Sequence, residues 1–455
     1  MRRLSGLTEL PWRKPPREAL LLTLVALVAL SAIYGVSSQD VSRLCLSRGL
    51  PTLHLTIGRC AGKTFDRARF AGRTYSDKAP GESLIAAPVV AVTRLGPASE
   101  WSANRDVRVW AIRLLTDGVA FVLLLWLFGR VAEGLAPGSG PLATVVLGLG
   151  TIVGALAATT FGHVVAAALA FGAFVSAWRR RWVAAGLLAG FSVVVAYEAA
   201  IVAVVLGAYA AARGWKPAWT YLLAVVPGLA FLAGYNDAAF GSPLHLSYRY
   251  VSNRFAHDQA KGLFGIGLPR WHSVARVLVT DRGLLVTSPA MLAAGVGLVL
   301  LWRTHRAEAL ACAAIVTGFL FLEFGYFLPY GGTSPGPRFL VPALPFLALG
   351  IPPAFARYPR AVSLLAIPSV VAGVATELTW SRAGSNDQHR TIWGELATAL
   401  AGRPAHLRDS LTGNVLSFAG ASASVAAVLV AGLAALALSI ALGKGARAPD
   451  RSRTG

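Results

Sequence analysis

The stretch Ala19–Gly35, ALLLTLVALVALSAIYG, decides the class of this protein because it carries no charged side chain along its whole length. A helix of about 20 apolar residues crosses the hydrocarbon core of a bilayer, and slightly shorter ones also span it. The stretch is long for the apolar region of a removable signal peptide, and it lacks a convincing small-residue cleavage site. We therefore expect it to be the first transmembrane helix.

Similar apolar blocks recur along the chain. Hydrophobic residues make up 55% of the 455 residues and charged residues 14%, and the mean hydropathy is +0.59. Soluble domains carry about 25% charged residues. The blocks do not alternate as barrel strands do, so they predict an all-α polytopic membrane protein with about 11–12 transmembrane helices. The candidate spans are Ala19–Gly35, Val107–Phe128, Leu142–Thr160, Val164–Trp178, Trp182–Ala212, Ala218–Gly234, Leu284–Trp302, Leu310–Phe327, Phe339–Phe355, Ala361–Thr376 and Ala423–Leu442.

The formal net charge of +21 is distributed in short arginine clusters between these blocks. This distribution follows the positive-inside rule and leaves no basic domain to bind nucleic acid, so we expect no nucleic-acid partner. The cluster from Arg2 to Arg17 predicts a cytoplasmic N-terminus, which places Val36–Asp106 outside the cell. Residues 1–443 then form a single transmembrane domain, followed by a disordered basic cytoplasmic tail at 444–455.

The segment Trp182–Ala212 is long enough for one span or for two short ones. A single crossing would place the later basic clusters, including Arg303 and Arg357, outside the cell. A hairpin that turns near Tyr197 and Glu198 would keep them in the cytoplasm. We therefore predict the hairpin, and the same count of crossings makes Glu82–Gly96 an interfacial helix.

The first outer loop begins with Asp40, directly after the first helix. Partial desolvation at the membrane interface raises the pKa of a carboxyl group, which would make Asp40 a usable base. The alternative is a helix-end charge that faces water. Further along, Thr52–Thr56 alternates like a short strand, and Phe70–Tyr75 has the residue pattern of a second strand with a Gly turn.

The run Tyr75-Ser76-Asp77-Lys78-Ala79-Pro80-Gly81 closes this loop. A lysine beside a Pro-Gly turn just above the membrane is well placed to meet a lipid phosphate. The alternative for Lys78 is a solvated side chain on a plain turn. Cys45 and Cys60 lie in the same loop, on the oxidising side, where a disulfide would brace a segment with little core of its own.

The later outer loops contribute two more candidate regions. Tyr235 and Asn236 open the run YNDAAFGSP, and Arg338 ends the run YGGTSPGPR. The glycines of the second run allow close approach of backbone to a ligand, and Arg338 would clamp a phosphate or pyrophosphate. The alternative for Arg338 is a cation that anchors a helix start at the headgroups.

Ionisable residues within apolar segments are functional candidates. Arg113 and Asp117 are one helical turn apart, and we expect them to pair with each other. Glu198 has no such neighbour. His163, at a helix junction, would bind substrate or serve as a packed core histidine.

Together these motifs resemble the GT-C superfamily of glycosyltransferases. The features are an Asp after the first helix, a long first outer loop and a Lys-x-Pro turn at Lys78 that closes it. The chain is most similar to bacterial protein O-mannosyltransferases and aminoarabinose transferases, the glycosyltransferase family 39-like proteins, over roughly Ala19 to Pro345. It departs from them at Val41, where relatives often carry Glu, and at Ala79, where Pro is usual.

The resemblance implies inverting transfer of a hexose or pentose from a polyprenyl-phosphate donor to a glycan, lipid or protein acceptor, on the outer face of a bacterial plasma membrane. It implies that Asp40 is the general base and that Lys78 contacts the lipid phosphate. The loss of a second carboxylate at Val41 argues against a metal, and we expect no cofactor. The expected substrate-binding residues are Lys78, Asp77, Tyr75, His163, Glu198, Tyr235, Asn236 and Arg338.

Two other functions fit a protein of this class. A transporter or flippase for a lipid-linked glycan would show symmetry between its halves and a polar path to both membrane faces. No repeat is evident here, and the polar loops lie on one side. A catalytically inactive membrane scaffold would have Asp40 and Lys78 pointing away from any shared cavity. The sequence does not indicate the sugar or the oligomeric state.

Overall fold

A computed structural model describes residues 15–101, 106–332, 334–383 and 423–445, together with Trp393, Gly394 and Ala397. Residues 446–455 of the predicted tail and most of residues 384–422 lie outside the described residues. The described helices are α1 Pro15–Leu30, α2 Ser38–Gly49, α3 Gly81–Val92, α4 Ala98–Trp101, α5 Val107–Leu135, α6 Gly140–Leu149, α7 Ile152–Ala157, α8 His163–Trp178, α9 Trp182–Val195, α10 Ala200–Ala211, α11 Trp215–Phe240, α12 Ala256–Gln259, α13 Trp271–Val279, α14 Leu284–Thr287, α15 Ala290–Trp302, α16 Arg306–Gly325, α17 Leu344–Ala348, α18 Ile351–Arg357, α19 Pro359–Ala383 and α20 Ala423–Gly445.

The prediction of an all-α membrane protein is confirmed. Among the described helices, 5 are long and apolar enough to cross a membrane, or up to 7 when each of two bent pairs counts as one span. The bends are 89° between residues 271–287 and 290–302, and 46° between 338–348 and 351–357. Five further described helices are apolar but shorter than a full span. One of them is α3, which lies where we expected an interfacial helix.

The pair α9–α10 is a hairpin. The Trp182 ring lies 6.3 Å from the Tyr209 ring, so the start of α9 packs against the end of α10 and the two helices run antiparallel. In contrast, α9 and α11 run parallel, because Gly186 faces Tyr221 and Gly190 faces Gly228. The small glycine side chains let these two backbones approach closely. The chain therefore reverses at Tyr197–Ala199, as the charge distribution predicts.

One predicted span is broken in two. The segment predicted as Leu142–Thr160 contains α6 and α7, which are separated at Gly150 and Thr151. The hydroxyl of Thr151 caps α7 by accepting from the Val153 amide at 3.2 Å, so a new helix begins at once. The residues that follow α7 include Thr160, which is buried and contacts Asp40 of the first outer loop.

The first outer loop folds into a cap with its own small core, which includes Leu44, Trp101 and Phe240. The predicted disulfide between Cys45 and Cys60 is present, with a Cα–Cα distance of 6.4 Å. Within the described residues the strands are β1 Ala68–Phe70 and β2 Arg73–Tyr75, which pair antiparallel.

The strand prediction for the cap was correct in one part and wrong in another. The Gly turn predicted within Phe70–Tyr75 is present, at Ala71 and Gly72 with φ values of 47° and 74°, and it joins the two strands of a β-hairpin. In the predicted strand Thr52–Thr56, only Thr56 forms a bridge, to Tyr75. The residues before it turn tightly at Leu50–Thr52 instead.

Candidate active site

A cavity of about 640 Å³ lies between the cap, the α9–α10 turn and residues 236–283, which we call the second outer loop. Asp40, Lys78, Glu198 and Arg338 all line it, so the structure brings together residues from four distant parts of the sequence. Other lining residues are Gln39, Arg43, Asp66, Asp77, His163, Tyr248 and Tyr326. This placement argues against the scaffold alternative, which required Asp40 and Lys78 to point away from a shared cavity.

Tyr75, Tyr235 and Asn236 do not line this cavity. Tyr75 packs on the Phe240 ring at 5.2 Å in the core of the cap. Tyr235 belongs to the same core, and the Asn236 amide donates to the Pro243 carbonyl at 3.2 Å. Their buried positions hold the second outer loop on the cap and do not support contact with a substrate.

Asp40 is bound on both carboxylate oxygens. Oδ1 accepts from the Thr160 hydroxyl at 2.6 Å, and Oδ2 accepts from the Ser37 amide at 2.7 Å and from Arg113 at 2.8 Å. The carboxylate and Ser37 form a capping box at the start of α2. Burial alone would raise the pKa of Asp40, but Arg113 and these hydrogen bonds outweigh it and hold the pKa below its ordinary value.

The prediction that Asp40 is the general base is therefore not supported. A base needs an oxygen within reach of the hydroxyl whose proton it takes, and a proton affinity suited to that transfer. Asp40 has neither while its six contacts persist, because every lone-pair direction is occupied and its pKa is lowered. Its position indicates a structural carboxylate that ties the cap to the bundle.

The predicted pair of Arg113 and Asp117 is wrong. Arg113 turns to Asp40 and also donates to the Tyr34 carbonyl at 2.8 Å. A π-helical turn at Leu114–Gly118 changes the register of α5, which carries Asp117 away from Arg113. Asp117 instead lies close to the carboxyl group of Glu82 in α3. Both acidic side chains are fully buried.

Lys78 lies between two carboxylates. Its Nζ is 2.7 Å from Asp66 Oδ1 and 3.3 Å from Asp77 Oδ2. Burial raises the pKa of Asp77 to about 6; Asp66 also raises it, and Lys78 lowers it. Burial would raise the pKa of Asp66 too, but the contact with Lys78 outweighs it, and the pKa of Asp66 is lowered. We refer to Asp66, Lys78 and Asp77 as the acidic triad.

Asp66 was not among the site residues predicted from the sequence. It is the only acidic residue between Asp40 and Asp77, in a stretch rich in arginine, and that isolation was an available signal. Its contact with Lys78 depends on the β-hairpin, which folds the chain back after Ala68. The sequence spacing of Asp66 and Lys78 therefore did not indicate that the two side chains are in contact.

Arg338 places a buried guanidinium in the cavity. Its residue is 8% exposed, and among the described residues no carboxylate lies within ion-pair distance of it. Nε has no hydrogen-bond partner there. The guanidinium lies 5.4 Å from the Phe161 and Phe339 rings. With the Gln39 amide turned so that its oxygen faces the guanidinium, Gln39 accepts from Nη2 at 2.9 Å.

Gly331 makes room for this side chain. A Cβ at Gly331 would lie 2.7 Å from Arg338 Nε, so a larger residue would displace the guanidinium. Gly331 also has a φ of 70°, which side chains disfavour. Gly331 therefore serves the position of the arginine itself.

His163 and Glu198 form the other polar contact of the cavity. Their Nδ1 and Oε1 atoms are 3.0 Å apart, and the His163 ring meets the Phe339 ring edge-on at 5.5 Å. Glu198 reaches the cavity from the α9–α10 turn, as the hairpin prediction requires.

Comparison with known proteins shows the fold. No family model and no curated protein sequence matches the chain. The crystal structure of ArnT from Cupriavidus metallidurans in the apo state superposes with a TM-score of 0.52, at 14% identity, over 94% of this chain and 76% of that one. The chain has a GT-C fold.

The apo oligosaccharyltransferase from Archaeoglobus fulgidus is also similar, with a TM-score of 0.48 and 12% identity over 97% of this chain. This chain covers 57% of that protein. The similarity to ArnT, at 14% identity, shows the fold alone. The chemistry has to be argued from the cavity.

Proposed function

We propose that this protein is a glycosyltransferase that moves a sugar from a polyprenyl-phosphate donor to an acceptor hydroxyl on the outer face of the plasma membrane, with inversion. The observation that carries the proposal is Arg338, a buried cation in the cavity that has no carboxylate within ion-pair distance in the part of the chain that the structure describes. An unpaired buried charge costs several kcal/mol, so the cavity favours an anionic ligand at that point. A lipid phosphate supplies that anion, and the GT-C fold supports the choice.

Arg338 takes the role of phosphate ligand in this proposal ahead of Lys78. Lys78 is already shared by Asp66 and Asp77, and it would reach a phosphate only by leaving one of them. Arg338 needs no such exchange. Its guanidinium presents a planar fork of donors that matches two phosphate oxygens.

The cavity is chemically divided in a way that suits inverting transfer. The acidic triad faces the attacking hydroxyl, and Arg338 stabilises the charge that develops on the departing phosphate. The acceptor oxygen bonds to the anomeric carbon while the bond from that carbon to the phosphate oxygen breaks. The polyprenyl tail stays in the bilayer, which explains why the site lies at the end of a helical bundle. With the site on the outer face, the positive-inside rule places both termini in the cytoplasm.

Binding of undecaprenyl phosphate to the purified protein tests this proposal. We expect Arg338→Gln to weaken binding roughly 10- to 100-fold, because hydrogen bonds to charged groups contribute about 1.5–3 kcal/mol. Arg338→Lys should recover only part of the loss, since an ammonium lacks the planar fork. Arg213→Gln is the matched control, because Arg213 pairs with Glu308 and does not line the cavity. Equal affinity in wild type and Arg338→Gln would reject the phosphate site.

A further inference from the structure

One carboxylate oxygen of the acidic triad lacks a hydrogen-bond partner among the described residues, and it belongs to Asp77, which lines the cavity. Asp77 Oδ1 has no hydrogen-bond partner among the described residues, although the residue is only 3% exposed. Its other oxygen, Oδ2, contacts Lys78 at 3.3 Å, which is long for a charge-assisted hydrogen bond. Asp77 is thus held in place and still has lone pairs available. Asp40, in contrast, has none.

Lys78 is held more tightly by the other carboxylate. The distance from Lys78 Nζ to Asp66 Oδ1 is 2.7 Å, so the ammonium group interacts more strongly with Asp66 than with Asp77. Asp66 also places a second negative charge near Asp77. Because Lys78 is held by Asp66, it stabilises ionised Asp77 less, and the negative charge of Asp66 disfavours the ionised form of Asp77 further. Asp66 has both effects without needing to touch the substrate.

We propose that Asp77 accepts the proton of the attacking hydroxyl and that Asp66 is a positioning residue that acts on Asp77 through Lys78. This inference rests on the proposed function. The acceptor O–H bond breaks as its proton moves to Asp77 Oδ1, and the acceptor oxygen forms its bond to the anomeric carbon. The electron pair of the broken carbon–oxygen bond leaves on the lipid phosphate beside Arg338. Asp77 later releases the proton to water.

The surroundings of Asp77 suit this role. The titratable and charged groups that act on it come from several elements: Lys78, Asp66, Arg43, Tyr197, Tyr248 and Tyr326. Burial raises its pKa to about 6, so Asp77 is ionised at neutral pH and still binds a proton readily. A general base works best when its pKa lies near the working pH.

Two substitutions should shift the protonation of Asp77 in opposite directions. Asp66→Asn removes a like charge and releases Lys78 to Asp77, so the pKa of Asp77 falls. Lys78→Met removes the stabilising ammonium, so the pKa of Asp77 rises. Asp66→Glu preserves the carboxylate and should return the value toward that of the wild type. A triad that only braces the cap would not produce opposite shifts.

Infrared difference spectra of wild type against Asp77→Asn measure this ionisation without any donor. We expect a protonated-carboxyl band that appears with a midpoint near pH 6 in the wild type, at lower pH in Asp66→Asn and at higher pH in Lys78→Met. The same midpoints in all three proteins, or no band that depends on Asp77, would overturn the proposal.

Kinetics provide the second arm, with undecaprenyl phosphate that carries tritiated mannose, glucose or arabinose as donor. We expect Asp77→Asn to bind undecaprenyl phosphate within about threefold of wild type and to lose sugar transfer by about 10²–10⁴-fold. The acid limb of the rate profile should follow the infrared midpoints. More than a tenth of the wild-type rate in Asp77→Asn would reject Asp77 as the base. Rejection of the proposed function itself would instead come from unchanged binding in Arg338→Gln.

Discussion

Asp40 Oδ2 lies 2.8 Å from Arg113 Nη2, in an ion pair that is almost fully buried where the cap meets α5. The same guanidinium donates to the Tyr34 carbonyl, at the end of the segment that leads from α1 into the cap. The pair therefore joins three parts of the chain at the edge of the cavity. This arrangement explains why an acidic residue follows the first transmembrane helix without requiring it to take part in proton transfer.

Asp40→Asn should destabilise the protein by about 3–5 kcal/mol, because it leaves Arg113 buried without its counter-ion. Thermal unfolding of the purified protein measures the effect. The double variant Asp40→Asn, Arg113→Met should lose less than the sum of the two single changes, since the partners are coupled. An Asp40→Asn protein with wild-type thermal stability and complete loss of transfer would instead restore Asp40 as the base.

The parallel crossing of α9 and α11 should tolerate no side chain at Gly228. A Cβ there would meet the backbone of Gly190, so Gly228→Val should destabilise the protein by about 1–3 kcal/mol through overpacking. Gly234→Val, on the same helix, is the matched control because a Cβ at Gly234 meets no heavy atom within 4 Å. Thermal unfolding of the two variants compares them. Equal losses would contradict the close packing of α9 on α11.

The Cys45–Cys60 disulfide should stabilise the cap rather than the bundle. The bridge closes a loop of 15 residues in the cap, for which chain entropy predicts a contribution of about 3 kcal/mol. Hydrogen exchange in Cys45→Ser, Cys60→Ser should increase across α2 and the β-hairpin and remain unchanged in α16. Cys312→Ser is the control, because Cys312 is a free, buried cysteine in that helix. Uniformly faster exchange throughout the protein would argue against an independent contribution to the cap.

The helical class and the hairpin at Tyr197–Ala199 could be predicted because they depend on local quantities. Apolar length sets whether a segment spans the membrane, and arginine clusters set which side each end occupies. A single crossing and a hairpin at Trp182–Ala212 place Arg303 and Arg357 on opposite sides of the membrane. The positive-inside rule could therefore decide between them without a structure. The breaks and bends within spans depend on packing between helices, and hydropathy does not report them.

The site was only partly predictable, because its contacts join residues that are distant in sequence. The apparent pair of Arg113 and Asp117 satisfied the helical spacing rule, yet Asp40, 73 positions earlier, takes Arg113. The importance of Asp66 depends on the β-hairpin, which places it beside Lys78 and could not be predicted from local sequence. Arg338 and Lys78, which both line the cavity, could be named as candidates because a cation near a glycine- or proline-rich turn is visible in the sequence itself.

The most direct test of the central claim follows the donor itself. Wild type, Arg338→Gln and Arg213→Gln are reconstituted in vesicles with undecaprenyl phosphate that carries tritiated mannose, glucose or arabinose, and the release of undecaprenyl phosphate is measured with the fate of the label. We predict that wild type and Arg213→Gln cleave the sugar–phosphate bond and transfer the sugar, whereas Arg338→Gln is at least tenfold slower, in line with the loss of about 1.5–3 kcal/mol from a charged hydrogen bond. Movement of intact donor lipid across the bilayer by the wild type, without cleavage of that bond, would contradict the account and indicate a flippase.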